Sequence, residues 1–203
     1  MEIKLTNIGR RFNRDWIFRD VSYSFKQGNS YAILGRNGAG KSTLLQVIAG
    51  SLTPSEGQID LVPDNLPVDD LYQLISIAAP YLELIEEFTL SEMIDFHFNF
   101  KSYLNGLDKA ALIELIELGS SKNKELKYFS SGMKQRVKIA LAICSNTPLL
   151  LLDEPCSNFD TEAISWYQRL IQKYDNNRLV IVCSNQEHEY SFCNEQIRLE
   201  DYK

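Results

Sequence analysis

YAILGRNGAGKST, residues 31–43, carries a short apolar run directly into a segment with three glycines, a lysine and two hydroxyls. The run reads as a buried strand, and residues 35–43 fit G-x-x-x-x-G-K-[ST] at every fixed position. Glycines at 35, 38 and 40 let the backbone curl so that successive N–H groups point inward at phosphate oxygens. Residues 42–49 then read as a helix ended by Gly50, with Pro54 beyond it, and the positive end of that helix adds to the cradle. Lys41 can reach β and γ phosphates, and the Ser42 hydroxyl can ligate Mg²⁺. Gly35, Asn37, Gly38, Ala39, Gly40, Lys41, Ser42 and Thr43 are therefore the expected nucleotide-binding set.

A second stretch, LLLLDEP at 149–155, reads as a strand covered on both faces, the usual state of a parallel sheet. Asp153 and Glu154 fall at its carboxyl edge, where ligands bind in open α/β sheets; by themselves they fit a site and a solvated loop equally. A phosphate loop elsewhere in the chain decides between these. It requires an acid on a neighbouring strand to hold the metal, and Asp153 is that acid. Glu154, one residue on, is placed to orient or deprotonate an attacking water.

The rest of the chain fits an α/β core with a helical insertion. Strands are expected at Ile3–Ile8 and Val21–Phe25, punctuated by Gly9 and Gly28, and another around 70–79. Thr89 with Glu92 forms a capping box for a helix to about Tyr103, and Asp108 caps a second ending near Gly119. Helical spacing over 131–145 feeds the leucine run, a further helix follows Asp160 to about Tyr174, and Asn176-Asn177 turns the chain into the strand Leu179–Cys183. Residues 85–145 thus read as helical, within one domain spanning 1–203.

Composition narrows the classes of function. With 21 basic and 27 acidic residues the net charge is −6, which argues against a nucleic-acid partner held through its phosphates. No apolar run approaches the ~20 residues of a membrane-spanning helix, and the start resembles no signal peptide, so a cytoplasmic location is expected. Cys144, Cys156, Cys183 and Cys193 form no C-x-x-C pair, and His97 and His188 are the only histidines. Reduced thiols are expected rather than a disulfide or zinc site, with His97 packed in its aromatic run.

One segment selects among phosphate-loop proteins. FSSGMKQR, residues 129–136, precedes the helix leading into LLLLDEP, and CSNFD follows at 156–160. In this order and spacing the chain resembles the ATP-binding cassette (ABC) ATPases, whose signature pattern is LSGGQxQR, over nearly its whole length. The resemblance implies a P-loop core with an N-terminal antiparallel β subdomain and a helical subdomain at about 85–145. It implies a head-to-tail dimer, or a pair with a related cassette. ATP on Gly35–Thr43 of one subunit is then covered by Ser130, Ser131 and Gly132 of the other, and Asp160 matches the acid that spans the two sites. Phe12, with Trp16 second, is the candidate to stack on adenine; for each, core packing is the alternative.

Further implications are ATP and Mg²⁺ as cofactors and a separate integral-membrane transporter subunit. The chain then sits peripherally on the inner face of the cell membrane and supplies ATP hydrolysis to transport. It looks like the short cassettes related to heme-exporter ATPases. YLELIEEF, residues 81–88, lies where family members receive a helix of the membrane subunit; its apolar residues and its acids Glu83, Glu86 and Glu87 also fit simple packing and solvation. The alternatives are a soluble ABC ATPase of repair, translation or cluster assembly, and a noncatalytic nucleotide-dependent module.

The chain departs from the family pattern in three places. Phe129, Ser131 and Met133 replace a leucine, a glycine and a glutamine of the signature. Pro80 stands where the family has a glutamine after the strand ending near 79, and a proline side chain cannot ligate Mg²⁺. The switch histidine is replaced by Asn185, or by Ser184 if the alignment slips by one; asparagine can hydrogen-bond a phosphate but carries no proton. With Lys41, Ser42, Asp153 and Glu154 retained, the expectation is intact ATP binding with slow hydrolysis in isolation.

Overall fold

The computed structural model describes residues 1–62, 72–174 and 177–202. Three strands, β1 (Glu2–Phe12), β2 (Asp15–Lys26) and β4 (Glu56–Val62), form an antiparallel sheet in the order β2-β1-β4. Five others, β3 (Ser30–Leu34), β5 (Ile75–Ala78), β6 (Leu149–Asp153), β7 (Leu179–Cys183) and β8 (Glu195–Arg198), form a parallel sheet in the order β5-β6-β7-β3-β8. Helices α1 (Lys41–Ile48), α5 (Thr161–Tyr174) and α6 (Glu187–Tyr190) belong to the parallel-sheet half. The helices α2 (Leu90–Phe98), α3 (Lys109–Ile116) and α4 (Ser131–Ile143) lie between β5 and β6 in the chain.

Side-chain alternation explains how one sheet serves two cores. Leu149 and Leu151 of β6 pack with β1, β2 and α1, whereas Leu150 and Leu152 pack with α4 and α5. All four leucines are fully buried, and each such side chain stabilises by about 1.5–3 kcal/mol. Asp153 shares parity with Leu149 and Leu151, so the pleat aims its carboxylate at the α1 side.

The register brings several loops to one edge. Ile33 of β3 and Asp153 of β6 both pair with Cys183 of the intervening β7, while Ala78 of β5 pairs with Leu152. The segments starting at Gly35, Glu154, Ser184 and Ala79 therefore leave the sheet side by side. This is the carboxyl edge where open α/β sheets bind ligands.

Several expected boundaries are corrected. Gly9 does not end the first strand; β1 continues to Phe12 through irregular pairing between Leu5 and Ile8 with Asn7 at φ 51°, a bulge, and a Cβ on Gly9 would meet the Trp16 ring at 3.0 Å. The capping box at Thr89 is present, but α2 stops at Phe98 rather than Tyr103. Phe98 stacks on Tyr103 with centroids 3.6 Å apart, and Tyr103 bridges to Ser145, so the chain folds back on itself there. The helix capped by Asp108 ends at Ile116 because Glu117 turns left-handed at φ 60°, leaving Gly119 to begin a 3₁₀ turn. The strand expected around 70–79 is Ile75–Ala78, residues 70 and 71 and Asn176 lying outside the described residues. Strands β4 and β8, EGQIDLV and EQIR, are too polar to show as strands in the sequence.

His97 packs as expected and has a measurable consequence. Its Nε2 is 2.8 Å from the Ser145 hydroxyl, and burial, then Lys101, lowers its pKa from 6.5 to about 4. The unfolded chain binds the proton more readily, so stability is full above pH 6.5 and falls as pH drops toward 4, by on the order of 3 kcal/mol. Thermal denaturation between pH 7 and 4 should show this loss, and His97→Gln should flatten it; an unchanged slope would remove His97 as the cause.

Candidate nucleotide site

The phosphate loop occupies the turn between β3 and α1. Gly35, Gly38 and Gly40 have φ of 153°, 78° and 103°. At Gly40 the requirement is also steric, since a Cβ would lie 2.4 Å from Cγ2 of Ile17. The Lys41 ammonium is buried and donates to the Gly35 carbonyl at 2.7 Å and the Arg36 carbonyl at 3.4 Å. Ala39 N–H donates to the Arg36 carbonyl at 2.9 Å, and Arg36 N–H to the Glu200 carboxylate at 2.6 Å.

The residues expected around the loop are brought to it. Ile17, Asn37, Gly38, the Gly40–Thr43 turn and Glu154 line a cavity of about 220 Å³. Glu154 sits at φ 44°, its N–H donating to the Cys183 carbonyl at 2.9 Å. Asn185 is the residue that faces the loop: its Oδ1 accepts from Gly35 N–H at 3.4 Å, and its Nδ2 donates to Asn37 Oδ1 at 3.0 Å. Ser184 instead turns inward, its hydroxyl bonded to the Glu189 carboxylate. Neither Phe12 nor Trp16 lines the cavity. Phe12 is 47% exposed with the Arg10 guanidinium 4.6 Å above its ring, and Trp16 lies between Arg11 and Arg19.

Asp153 is 1% exposed, and neither of its oxygens has a partner in hydrogen-bond geometry. Burial raises its pKa; the Ser42 hydroxyl pulls it down, Glu154 pushes it up, and Lys41 pulls it down. Ser42 therefore lies close enough to favour the ionised carboxylate without completing its coordination. A buried carboxylate with two unsatisfied oxygens beside a hydroxyl is a donor set suited to a hard cation such as Mg²⁺.

The signature residues gather elsewhere, around a cavity of about 510 Å³ lined by Ser130–Met133, Arg136 and the Asn158–Asp160 turn. Ser130 caps α4 by accepting from Met133 N–H at 3.2 Å. Phe129 is buried among the insertion's apolar side chains. Asp160 caps α5 through Ala163 N–H at 2.8 Å.

Three side chains at these sites make contacts that the sequence does not show. Gln135 Nε2 donates to the Pro155 carbonyl at 2.9 Å, tying the signature helix to the segment after Glu154. Glu189, 1% exposed, accepts from Cys156 N–H at 2.7 Å and from Ser184, joining the turn after Glu154 to the turn carrying Asn185. Its approach to Cys156 and His188 puts three ligand-type atoms within 4.8 Å of one another, yet both its oxygens already accept hydrogen bonds. Tyr81 is raised to about 12 by burial and then by Asp153, with the Gln46 side chain as a hydrogen-bonding partner pulling it down. No periodicity marks these contacts, because they join segments distant in the chain.

Loop, buried acid and parallel sheet together define a P-loop nucleotide-binding protein of the α/β class. The ABC transporter family profile matches residues 18–157, and the chain belongs to that family of ATPases. It is 28% identical over 188 residues to the lantibiotic transport ATP-binding protein SrtF of Streptococcus pyogenes, covering 90% of this chain and 79% of that protein. To the cytochrome c biogenesis ATP-binding export protein CcmA of Agrobacterium fabrum it is 29% identical over 183 residues, covering 86% and 84%. Its fold matches the dimeric bacterial ABC transporter cassette MJ0796 with a TM-score of 0.79 at 23% identity, over 97% of this chain and 94% of that one.

Proposed function

We propose that residues 1–203 act as one ATP-binding and ATP-hydrolysing unit that powers a separate membrane transporter subunit, working as a head-to-tail pair with ATP at the interface. The observation that carries this reading is the presence of two half-sites with no lining residue in common. One holds Lys41, Ser42 and Glu154; the other presents the capped start of α4 with Ser130, Ser131 and Gly132, beside Asp160. A helix start with hydroxyl and backbone donors suits a γ-phosphate but lacks a phosphate loop. Pairing two chains head to tail gives each phosphate loop the missing cover.

Within such a pair each residue has a separate task. Lys41 places its charge on the β and γ phosphates, and Asn185, already bonded to Gly35 and Asn37, presents an amide to the γ-phosphate. Ser42 and Asp153 would hold Mg²⁺, which neutralises charge on the phosphate oxygens when bound. Glu154 takes the proton of the attacking water, and Phe12 or Trp16 moves onto adenine.

Among the described residues no helix is long and apolar enough to cross a membrane. The docking surface we assign is at the start of the insertion, where Leu82 just before it and Phe96 and Phe100 on it are 37%, 39% and 73% exposed. Phe88, Phe96 and Phe100 make an edge-to-face ladder with centroids 5.5 and 5.3 Å apart, and Leu84 and Ile85 pack inward. Glu83 and Glu87 are exposed beside this patch, while Glu86 is tied to Lys134. This arrangement suits an amphipathic segment bearing positive charge. Isolation from native membranes in mild detergent should recover a stoichiometric polytopic protein, and Glu83→Lys/Glu87→Lys should cut that recovery tenfold or more, roughly 1.4 kcal/mol, with ATP affinity unchanged. Recovery of the wild-type protein only in the soluble fraction would move the assignment to a soluble ABC ATPase.

A further inference from the structure

Strand β7 is buried along its whole length, and the chain turns as soon as it leaves the sheet. Ser184 is 0% exposed and points inward, whereas Asn185 is exposed. The Ser184 hydroxyl oxygen accepts from Gln186 N–H at 2.8 Å, so the turn closes around that side chain and leaves Asn185 protruding. From there Asn185 reaches Gly35 N–H at 3.4 Å and the Asn37 side chain at 3.0 Å. These contacts alone hold the amide loosely, since the first is long and the second joins two exposed side chains.

The firmer restraint comes from Glu189 on α6. Its side chain is buried, with one oxygen accepting from Cys156 N–H at 2.7 Å and the other from the Ser184 hydroxyl. Cys156 lies two residues beyond Glu154, whose own N–H donates to the Cys183 carbonyl at 2.9 Å. The segments after β6 and after β7 are therefore joined twice, once through the end of β7 and once through Glu189. Glu189 is itself fixed from behind by α5. The fully buried Tyr167 donates its hydroxyl to the Glu189 carbonyl at 2.8 Å, and Gln168 Nε2 donates to the His188 carbonyl at 3.0 Å. Burial raises the Glu189 pKa against the pull of Ser184 and Cys156, so the carboxylate sits there at a cost. An apolar side chain of similar volume would fill the space without that cost, and filling alone does not account for an acid.

We propose that Glu189 is a positioning residue: its carboxylate locks Ser184 to the segment after Glu154 and so aims the Asn185 amide at the γ-phosphate. This rests on the assignment of Asn185 as a γ-phosphate donor. Glu189 is not among the residues lining the phosphate-loop cavity, and it acts through Asn185.

ATP and ADP serve as the probes, titrated calorimetrically into the full chain in EDTA so that no turnover intervenes. ADP lacks the γ-phosphate, so the ratio of the two dissociation constants isolates contacts to that group. Asn185→Ala sets the scale, because losing one hydrogen bond to a charged group corresponds to about a tenfold fall in the preference for ATP. Glu189→Leu should lower the preference by a similar factor and leave the affinity for ADP unchanged. Adding Glu189→Leu to Asn185→Ala should lower it no further, since both act through one contact. Ser184→Ala removes only the second of the two carboxylate contacts and should shift the ratio the same way; it decides the matter where Glu189→Leu melts below the assay temperature. If Asn185→Ala lowers the preference and Glu189→Leu does not, the proposal is overturned and the Asn185 reading stands. A parallel loss of ADP and ATP affinity leaves the ratio unchanged and overturns it as well, marking Glu189 as merely structural. If Asn185→Ala keeps the parent's ratio, the Asn185 assignment fails and Glu189 loses its role with it.

Discussion

Glu154→Gln should lower steady-state ATP turnover by about 10²–10⁴-fold and leave ATP binding intact. The side chain loses its ability to accept a proton but keeps its shape and hydrogen-bonding reach. The left-handed backbone at φ 44°, anchored by the N–H bond to Cys183, is unaffected by exchanging a carboxylate for an amide. The effect should therefore appear in kcat, with little change in the affinity for ATP measured in EDTA. The starting rate is expected to be low, because Pro80 and Asn185 replace two polar family residues, and one missing transition-state donor typically costs about 10²–10³. Parallel turnover assays on the wild-type and Glu154→Gln proteins decide the matter. Equal, near-background rates would reject catalysis by Glu154 in the isolated chain and leave activation by a partner as the route to activity.

Much of the candidate nucleotide site is visible in the sequence because its determinants are local. The glycine spacing around Lys41 encodes a backbone curl, and LLLLDEP encodes both a buried strand and the acids at its end. The register explains why these meet: Ile33 and Asp153 share Cys183 as a pairing partner. Parity and reach cannot be seen locally. Which of Ser184 and Asn185 the strand end turns toward the loop is a matter of geometry: Ser184 bonds to Glu189, and Asn185 to Gly35 and Asn37.

Other features are hidden for different physical reasons. Strand β4 carries EGQIDLV, whose polar residues face outward and whose place in the sheet depends on pairing with β1, from Glu2–Val62 to Gly9–Glu56. Where α2 ends, Phe98 stacks on Tyr103, a contact with no counterpart in capping chemistry. Gln135 and Glu189 act as ties between elements distant in the chain. Their polarity makes them look like surface residues, whereas both are at most 5% exposed.

If the chains pair head to tail as proposed, Gly132→Asp should abolish ATP-dependent dimerisation. Gly132 is the second residue of α4, at the end whose N–H groups and partial positive charge suit an anion. A carboxylate there occupies that positive end with the protein's own charge and repels an incoming γ-phosphate. Its Cβ would also lie 3.3 Å from the Asn158 carbonyl, pressing on the turn that holds Asp160. The isolated chain should nevertheless keep its stability, because an acid in a helix's first turn contributes about 0.3–1 kcal/mol against that crowding. The expected pattern is an unchanged melting temperature, unchanged ATP binding at Lys41 and Ser42, and hydrolysis reduced by at least ~10²-fold. Light scattering with ATP in the Glu154→Gln background reads the pairing directly. A dimer that persists with Gly132→Asp would place the ATP-dependent interface elsewhere, whereas a monomer that still binds ATP shows that one chain carries two halves of different sites.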